Sequence, residues 1–186
     1  MACHNNQRQS WQAIFQEHSL NFVVYSIPSR QSWMANAMKY EDVVWAAGIF
    51  DGEGCASIKK LSRKTVSGFP AYTLELSVGV RRDRPLDMFT KAFGGSVGKY
   101  RAKGATQASH RWVVTGTNAL HFLHRVLPFL RWKTEEAEVA VRFQEYVEHK
   151  KRTCGQGSMA TPEENEIKRI AYEALRKLNH AKVEDW

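Results

Sequence analysis

The sequence predicts an α+β fold: a helix and a hairpin, a second helix and hairpin, then three more helices. Three observations predict it. The hydrophobic period changes from helical to two just after Gly54 and holds through Arg82 around one loop. A shorter helix and a second period-two pair repeat that unit between Pro85 and Thr115. From Asn118 onward helical periodicity returns, interrupted at Pro128 and again ahead of Thr161.

Each element follows from local chemistry. Val43 to Phe50 is an apolar helical run with small residues at Ala46, Ala47 and Gly48, closed by Asp51-Gly52-Glu53-Gly54. In the strand Cys55 to Leu61, Ala56 and Ile58 are expected inward, Ser57 and Lys59 outward. Ser62 to Pro70 has hairpin-loop composition and carries Arg63 and Lys64. In Ala71 to Arg82 the apolar set is Tyr72, Leu74, Leu76, Val78 and Val80; Thr73, Glu75, Ser77 and Gly79 form the wet face. Pro85 to Phe93 reads as a helix on Leu86, Phe89 and Phe93, with Asp83 as N-cap and Gly94-Gly95 as its stop. The second hairpin runs Val97 to Lys103 and Ser109 to Thr115. Its expected outward set is Lys99, Arg101, Lys103, Ser109, Arg111 and Val113; its inward set is Tyr100, Ala102, His110, Trp112 and Val114. Helices follow at Asn118–Leu127, Thr134 to about Lys151, and from an N-cap at Thr161 to about Asn179.

The 186 residues suit one domain with appendages, and 43% hydrophobic content is enough for a sizeable core. Residues 1–39 read as an N-terminal extension, disordered or outside the mature protein, in preference to a targeting segment. Residues 40–152 form the core domain and 153–186 a linker and helix. A formal charge of +8 favours a polyanionic partner, nucleic acid or an anionic membrane surface. No apolar run approaches the roughly 20 residues that span a bilayer. Cys3, Cys55 and Cys154 are too scattered for a disulfide framework or zinc cage, so a reduced intracellular compartment is expected, an organelle or a bacterial or phage cytoplasm.

The stretch VVWAAGIFDGEGCASI, Val43 to Ile58, resembles the signature of the LAGLIDADG homing endonucleases. Ala46 to Gly54 fall on its nine positions, with Ala46 in place of the first Leu and Glu53 in place of the second Asp; this G-Φ-Φ-D-G-E-G form is a frequent variant of the motif. Leu127 to Lys133 resembles the family's segment between its third and fourth helices. The resemblance spans about residues 40–150. Two positions depart from it: the water-positioning residue of the family falls on Arg82, and a later family arginine falls on Leu86.

The resemblance implies a DNA endonuclease with Mg²⁺ as cofactor, bound by Glu53 and the Gly52 carbonyl, with Lys133 and Arg82 as further catalytic residues. It also implies that the four strands form one curved antiparallel sheet, with helices on one face and DNA read by the other. On it, Ser57, Lys59, Arg63, Thr73, Glu75, Ser77, Arg101, Lys103, Arg111 and Val113 are expected to meet double-stranded DNA, whose major groove admits a two-stranded ribbon. Only one acidic-glycine knot is present, so a homodimer is expected. Its seam holds either Trp45, Gly48 and Gly52 or Val44, Ala47 and Asp51, both at helical spacing, with Asp51 retained beside Trp45, Gly48 and Gly52 as a candidate. Two alternatives share the fold: a maturase that binds intron RNA, and a catalytically silent DNA-binding protein. The acid at Glu53 favours cleavage, because neither alternative has a chemical need for it.

Overall fold

Helix α1 (Tyr40–Glu53) opens the computed structural model, in which residues 39–64, 67–101, 106–154 and 159–180 are described, with backbone alone for 62–64. The expectations for residues 1–38 lie outside the described residues. Val43, Ala46, Ala47 and Phe50 bury one side of α1, while Val44, Trp45 and Gly48 remain exposed on the other. The helix stops where the Gly54 N–H donates to the Phe50 carbonyl. Gly54 is required there, because a Cβ would stand 2.4 Å from both the Phe50 ring and its carbonyl oxygen.

The chain turns directly into β1 (Gly54–Lys64), which pairs antiparallel with β2 (Pro70–Val80). Ala56 lies opposite Leu76 and Ile58 opposite Leu74, so the buried sets of the two strands share one face. Helix α2 (Leu86–Phe93) leads to β3 (Ser96–Tyr100) and β4 (Ser109–Thr115). The sheet order is β1-β2-β4-β3, antiparallel at every pairing. Helix α3 (Gly116–Val126), a 3-10 turn (Leu127–Phe129), α4 (Thr134–Cys154) and α5 (Pro162–His180) complete the element order read from the sequence.

The core fills the space between the sheet and the helices. Phe122 of α3 stands 5.1 Å from Phe50, 4.8 Å from Phe93 and 5.3 Å from Trp112, ring centre to ring centre. The Trp112 indole N–H donates to the Gly94 carbonyl at 2.8 Å. That contact needs the α2–β3 turn pressed against β4, where Gly95 has φ 82° and a Cβ would meet the Val113 carbonyl at 2.4 Å. Helix α5 covers the edge at β1: Asn179 Nδ2 donates to the Ala56 carbonyl at 2.8 Å, and Tyr172 meets Tyr72 at 5.8 Å. The Thr161 hydroxyl accepts the Glu164 N–H at 3.2 Å, the expected N-cap.

Two local expectations fail. Asp83 does not cap α2 with its side chain; the Leu86 N–H instead bonds the Asp83 carbonyl at 2.7 Å, and the helix begins at Leu86. In β3, Tyr100 pairs with Ser109 and Lys99 with His110. Tyr100 therefore shares the face of Ser109 and Arg111, and Lys99 shares the face of Val97 and Trp112, the reverse of the expected alternation. A one-residue difference in pairing exchanges every side chain between the faces of a strand.

Candidate functional site

The end of α1 is a corner where three elements meet. Asp51 is 8% exposed, and its carboxylate accepts the backbone N–H groups of Arg131 at 2.6 Å, Lys133 at 3.1 Å and, more distantly, Trp132 at 3.4 Å. These N–H groups precede the first turn of α4, where a helix leaves donors without partners and favours negative charge. Asp51 thus acts as a capping group inside its own subunit, where helical spacing alone had also offered it to a seam. The Lys133 ammonium donates back to the Asp51 carbonyl, at the C-terminal end of α1 where a cation is favoured. The Glu136 carboxyl, nearby in α4, is raised by burial, partly offset by its own backbone N–H and by Lys133.

Beyond that clasp, Gly52 and Glu53 are exposed. Glu53 lies at the rim of an open trough of about 720 Å³, together with Cys55, Ser77, Gly79, Val80, Arg81, Tyr100, Ser109 and Arg111. Among the described residues no group of three or more His, Cys, Asp or Glu side chains is placed to hold a metal. Glu53 and the neighbouring Gly52 carbonyl are oxygens of the hard kind that Mg²⁺ takes, and together they could fill two positions of its octahedral shell.

The sheet face away from the helices carries the trough. Ser57 pairs with Glu75, Lys59 with Thr73, Ser77 with Val113 and Gly79 with Arg111, so most of the expected outward residues do share one face. Lys59 Nζ lies 3.5 Å from Glu75, and the Ser57 hydroxyl donates to the Glu75 carbonyl at 3.3 Å. Ser77 is on this face but only 5% exposed, because the Arg111 guanidinium lies over it and donates to its hydroxyl at 3.0 Å. Arg101 is exposed just past the end of β3. The Arg63 side chain and Lys103 lie outside the described residues.

Sequence reasoning did not place Cys55, Val80, Arg81 or Tyr100 in the trough, and Arg81 and Tyr100 bear on its chemistry. Arg81, and not Arg82, lines the trough with Glu53, while Arg82 is exposed in the turn that follows β2. Strand alternation continued from Ser77 and Gly79 would have pointed to Arg81. Tyr100 lines it too, with its ring centre 5.8 Å from the Arg111 guanidinium carbon. The signal for Tyr100 was its pairing with Ser109, which depends on how many residues the connecting loop takes up.

On the outer side of α1, Trp45, Gly48 and Gly52 are exposed along one stripe. Among the described residues a Cβ at Gly48 or Gly52 would meet nothing within 4 Å, so none of them requires glycine at either position. Trp45 reaches Phe89 of the core at 5.9 Å yet stays 42% exposed.

Solved structures share this architecture. The homing endonuclease I-CvuI, in complex with its target in the presence of calcium, matches at a TM-score of 0.61 and 20% identity, over 78% of this chain and 88% of that one. The chain has the LAGLIDADG homing-endonuclease fold. The archaeal intron-encoded homing endonuclease I-Vdi141I, complexed with DNA, matches at a TM-score of 0.60 and 12% identity over 78% of this chain and 89% of that one. The meganuclease I-SmaMI, bound to uncleaveable DNA, matches at 0.53 and 18% identity over 71% of this chain but only 44% of that one. No family model and no curated protein matches the chain.

Proposed function

We propose that this chain is a site-specific homing endonuclease. It works as a homodimer that cuts both strands of a long, near-palindromic duplex by Mg²⁺-dependent phosphodiester hydrolysis. The observation that carries the reading is the position of Glu53, exposed where the glycine-surfaced stripe of α1 runs into the trough. Two copies of α1 packed along Trp45, Gly48 and Gly52 bring two such acids together at the junction of two troughs. The relative lengths support this: the chain spans 88% of I-CvuI but 44% of I-SmaMI, as one repeat of a longer chain would. I-CvuI and I-Vdi141I are both known with bound DNA, which supports duplex DNA as the ligand here. Twofold symmetry then dictates a near-palindromic target and one cut in each strand.

The residues of the corner divide the work. Glu53 and the Gly52 carbonyl fit a hard divalent cation, which when bound supplies Lewis acidity and an activated water. Lys133 keeps a positive charge at the Asp51 carbonyl, one residue from Gly52, where it favours the charge that develops on a phosphate under attack. Arg81 in the trough binds backbone phosphate beside Glu53, and Arg82 adds charge from the neighbouring turn. Ser57, Lys59, Thr73, Glu75, Arg111 and Val113 supply the groove-facing contacts, with Arg101 at the flank.

The test is cleavage of a randomised library of long duplexes with Mg²⁺, wild type beside Glu53→Gln, with the ends sequenced. Staggered double-strand cuts at one near-palindromic family of sites, lost in the variant while binding persists, are expected. Wild-type cleavage by Glu53→Gln would remove Glu53 from the reaction. Tight binding with no cutting by either protein would favour the silent DNA-binding protein, and binding of intron RNA alone would favour the maturase.

A further inference from the structure

Arg111 stands apart from the other cations of the sheet. It leaves β4 in the middle of the trough face, between β2 and β3, and its neighbours directly across both strands are glycines, Gly79 and Gly98. Neither glycine has a positive φ, and among the described residues a Cβ at either would meet nothing within 4 Å. Strands disfavour glycine, which has no side chain to pack and loses the most backbone freedom on ordering. Two strand glycines that neither backbone conformation nor packing requires mark a place where something outside the subunit comes close.

The guanidinium between them is aimed and left available. Ser77, 5% exposed, takes one N–H at 3.0 Å, and the Tyr100 ring lies under the guanidinium carbon at 5.8 Å. Both partners are neutral, whereas Lys59 sits 3.5 Å from the Glu75 carboxylate. A guanidinium has five N–H donors in a planar fork, so one bond to Ser77 fixes its plane and leaves a second edge for two parallel bonds. In a DNA major groove the partner with that geometry is guanine, through O6 and N7.

We propose that Arg111 is the principal base-reading residue of this chain. It recognises guanine at one position in each half-site, with Ser77 and Tyr100 as positioning residues and Gly79 and Gly98 as the clearance that lets the base edge approach. The inference rests on the DNA-binding reading above and assigns Ser77 a role under Arg111 in place of a contact of its own.

The experiment is selection of bound sequences from a randomised duplex library in Ca²⁺, with melting temperatures measured for every protein. Wild type should select a near-palindrome with guanine at one symmetry-related pair of positions. Arg111→Lys should lose that preference by about tenfold to a hundredfold, since a bidentate fork is replaced by a point charge. Ser77→Ala should relax the preference at the same two positions and nowhere else, which a general loss of stability would not do. Gly79→Ala and Gly98→Val should melt no lower than wild type yet bind the selected duplex at least about tenfold more weakly. An unchanged sequence preference in Arg111→Lys, or a Ser77→Ala change confined to other positions, would overturn the inference while leaving DNA binding intact. Unchanged affinity in both glycine variants would overturn the clearance. Failure of the wild type to bind any duplex would overturn the DNA-binding reading itself, and this inference with it.

Discussion

Replacing Asp51 with Ala removes the one carboxylate that joins α1 to the start of α4. The wild-type carboxylate accepts two well-placed backbone N–H bonds, at 2.6 Å from Arg131 and 3.1 Å from Lys133; the 3.4 Å contact with Trp132 contributes little. Hydrogen bonds to a charged group contribute about 1.5–3 kcal/mol each, and the α4 terminus adds a further favourable charge interaction. The variant leaves those N–H groups without this acceptor in a site where Asp51 is only 8% exposed. Allowing for water entry, the expected loss is about 3–4 kcal/mol, or a melting temperature about 10 °C lower for a chain of this size. Asp51→Asn, which keeps one acceptor oxygen but turns an amide toward N–H donors, should lose about half as much. Lys133→Met, which keeps every backbone bond to Asp51, should cost only about 1 kcal/mol. Thermal unfolding followed by circular dichroism at two protein concentrations checks this. The difference between Asp51→Ala and wild type should not depend on concentration, because the carboxylate acts within one subunit. A drop of less than about 2 °C, or one that appears only at low concentration, would return Asp51 to the subunit interface and refute the reasoning.

Three further outcomes are expected. Gly95→Ala places a Cβ 2.4 Å from the Val113 carbonyl at φ 82°, so its urea midpoint should fall by the equivalent of about 2–3 kcal/mol; an unchanged midpoint would contradict the close approach. Gly48→Glu meets no other described residue of the subunit, so on the proposed homodimer light scattering should report a folded monomer for the variant and a dimer for wild type; a dimer that persists in the variant would move the seam elsewhere. Burial pushes the Glu148 carboxyl up, but hydrogen bonds from Thr117 and Gln144, with Lys151, outweigh it and hold the group below 4.5. Since the folded value is the lower one, the stability advantage of wild type over Glu148→Gln should be complete above pH 4.5 and fade as pH falls through the folded value; an advantage that grows on acidification would reverse the assignment.

The order of elements was legible because periodicity is a local property. Ala56, Ile58, Leu74, Leu76, Val78, Trp112 and Val114 recur at every second position of their strands, and the structure buries all seven. The Thr161 cap and the glycine stops at Gly54 and Gly94 were local in the same sense, since each depends on a few consecutive residues. Glu53, too, was placed at the end of its helix by sequence alone.

Tertiary structure decided what local pattern leaves degenerate. Helical spacing puts Val44, Ala47 and Asp51 on one stripe and Trp45, Gly48 and Gly52 on the next, and nothing in the period says which stripe meets the subunit's own core. Ala47 and Asp51 turned inward because the unpaired N–H groups before α4, eighty residues away in sequence, needed an acceptor. The same clasp gave Lys133 a partner in the Asp51 carbonyl that no neighbouring residue could supply. Tyr100 and Lys99 exchanged faces because the register of β3 on β4 depends on how many residues the connecting loop takes up, which strand alternation does not fix. Ser77 was legible as a residue of the outer face, but its burial came from Arg111 on the adjacent strand β4, 34 residues on in the chain. Sequence by itself determined the elements, their buried faces and the acid at the end of α1. Folding decided which of two equivalent stripes faces solvent and which side chains cover one another, because those choices rest on contacts between segments far apart in the chain.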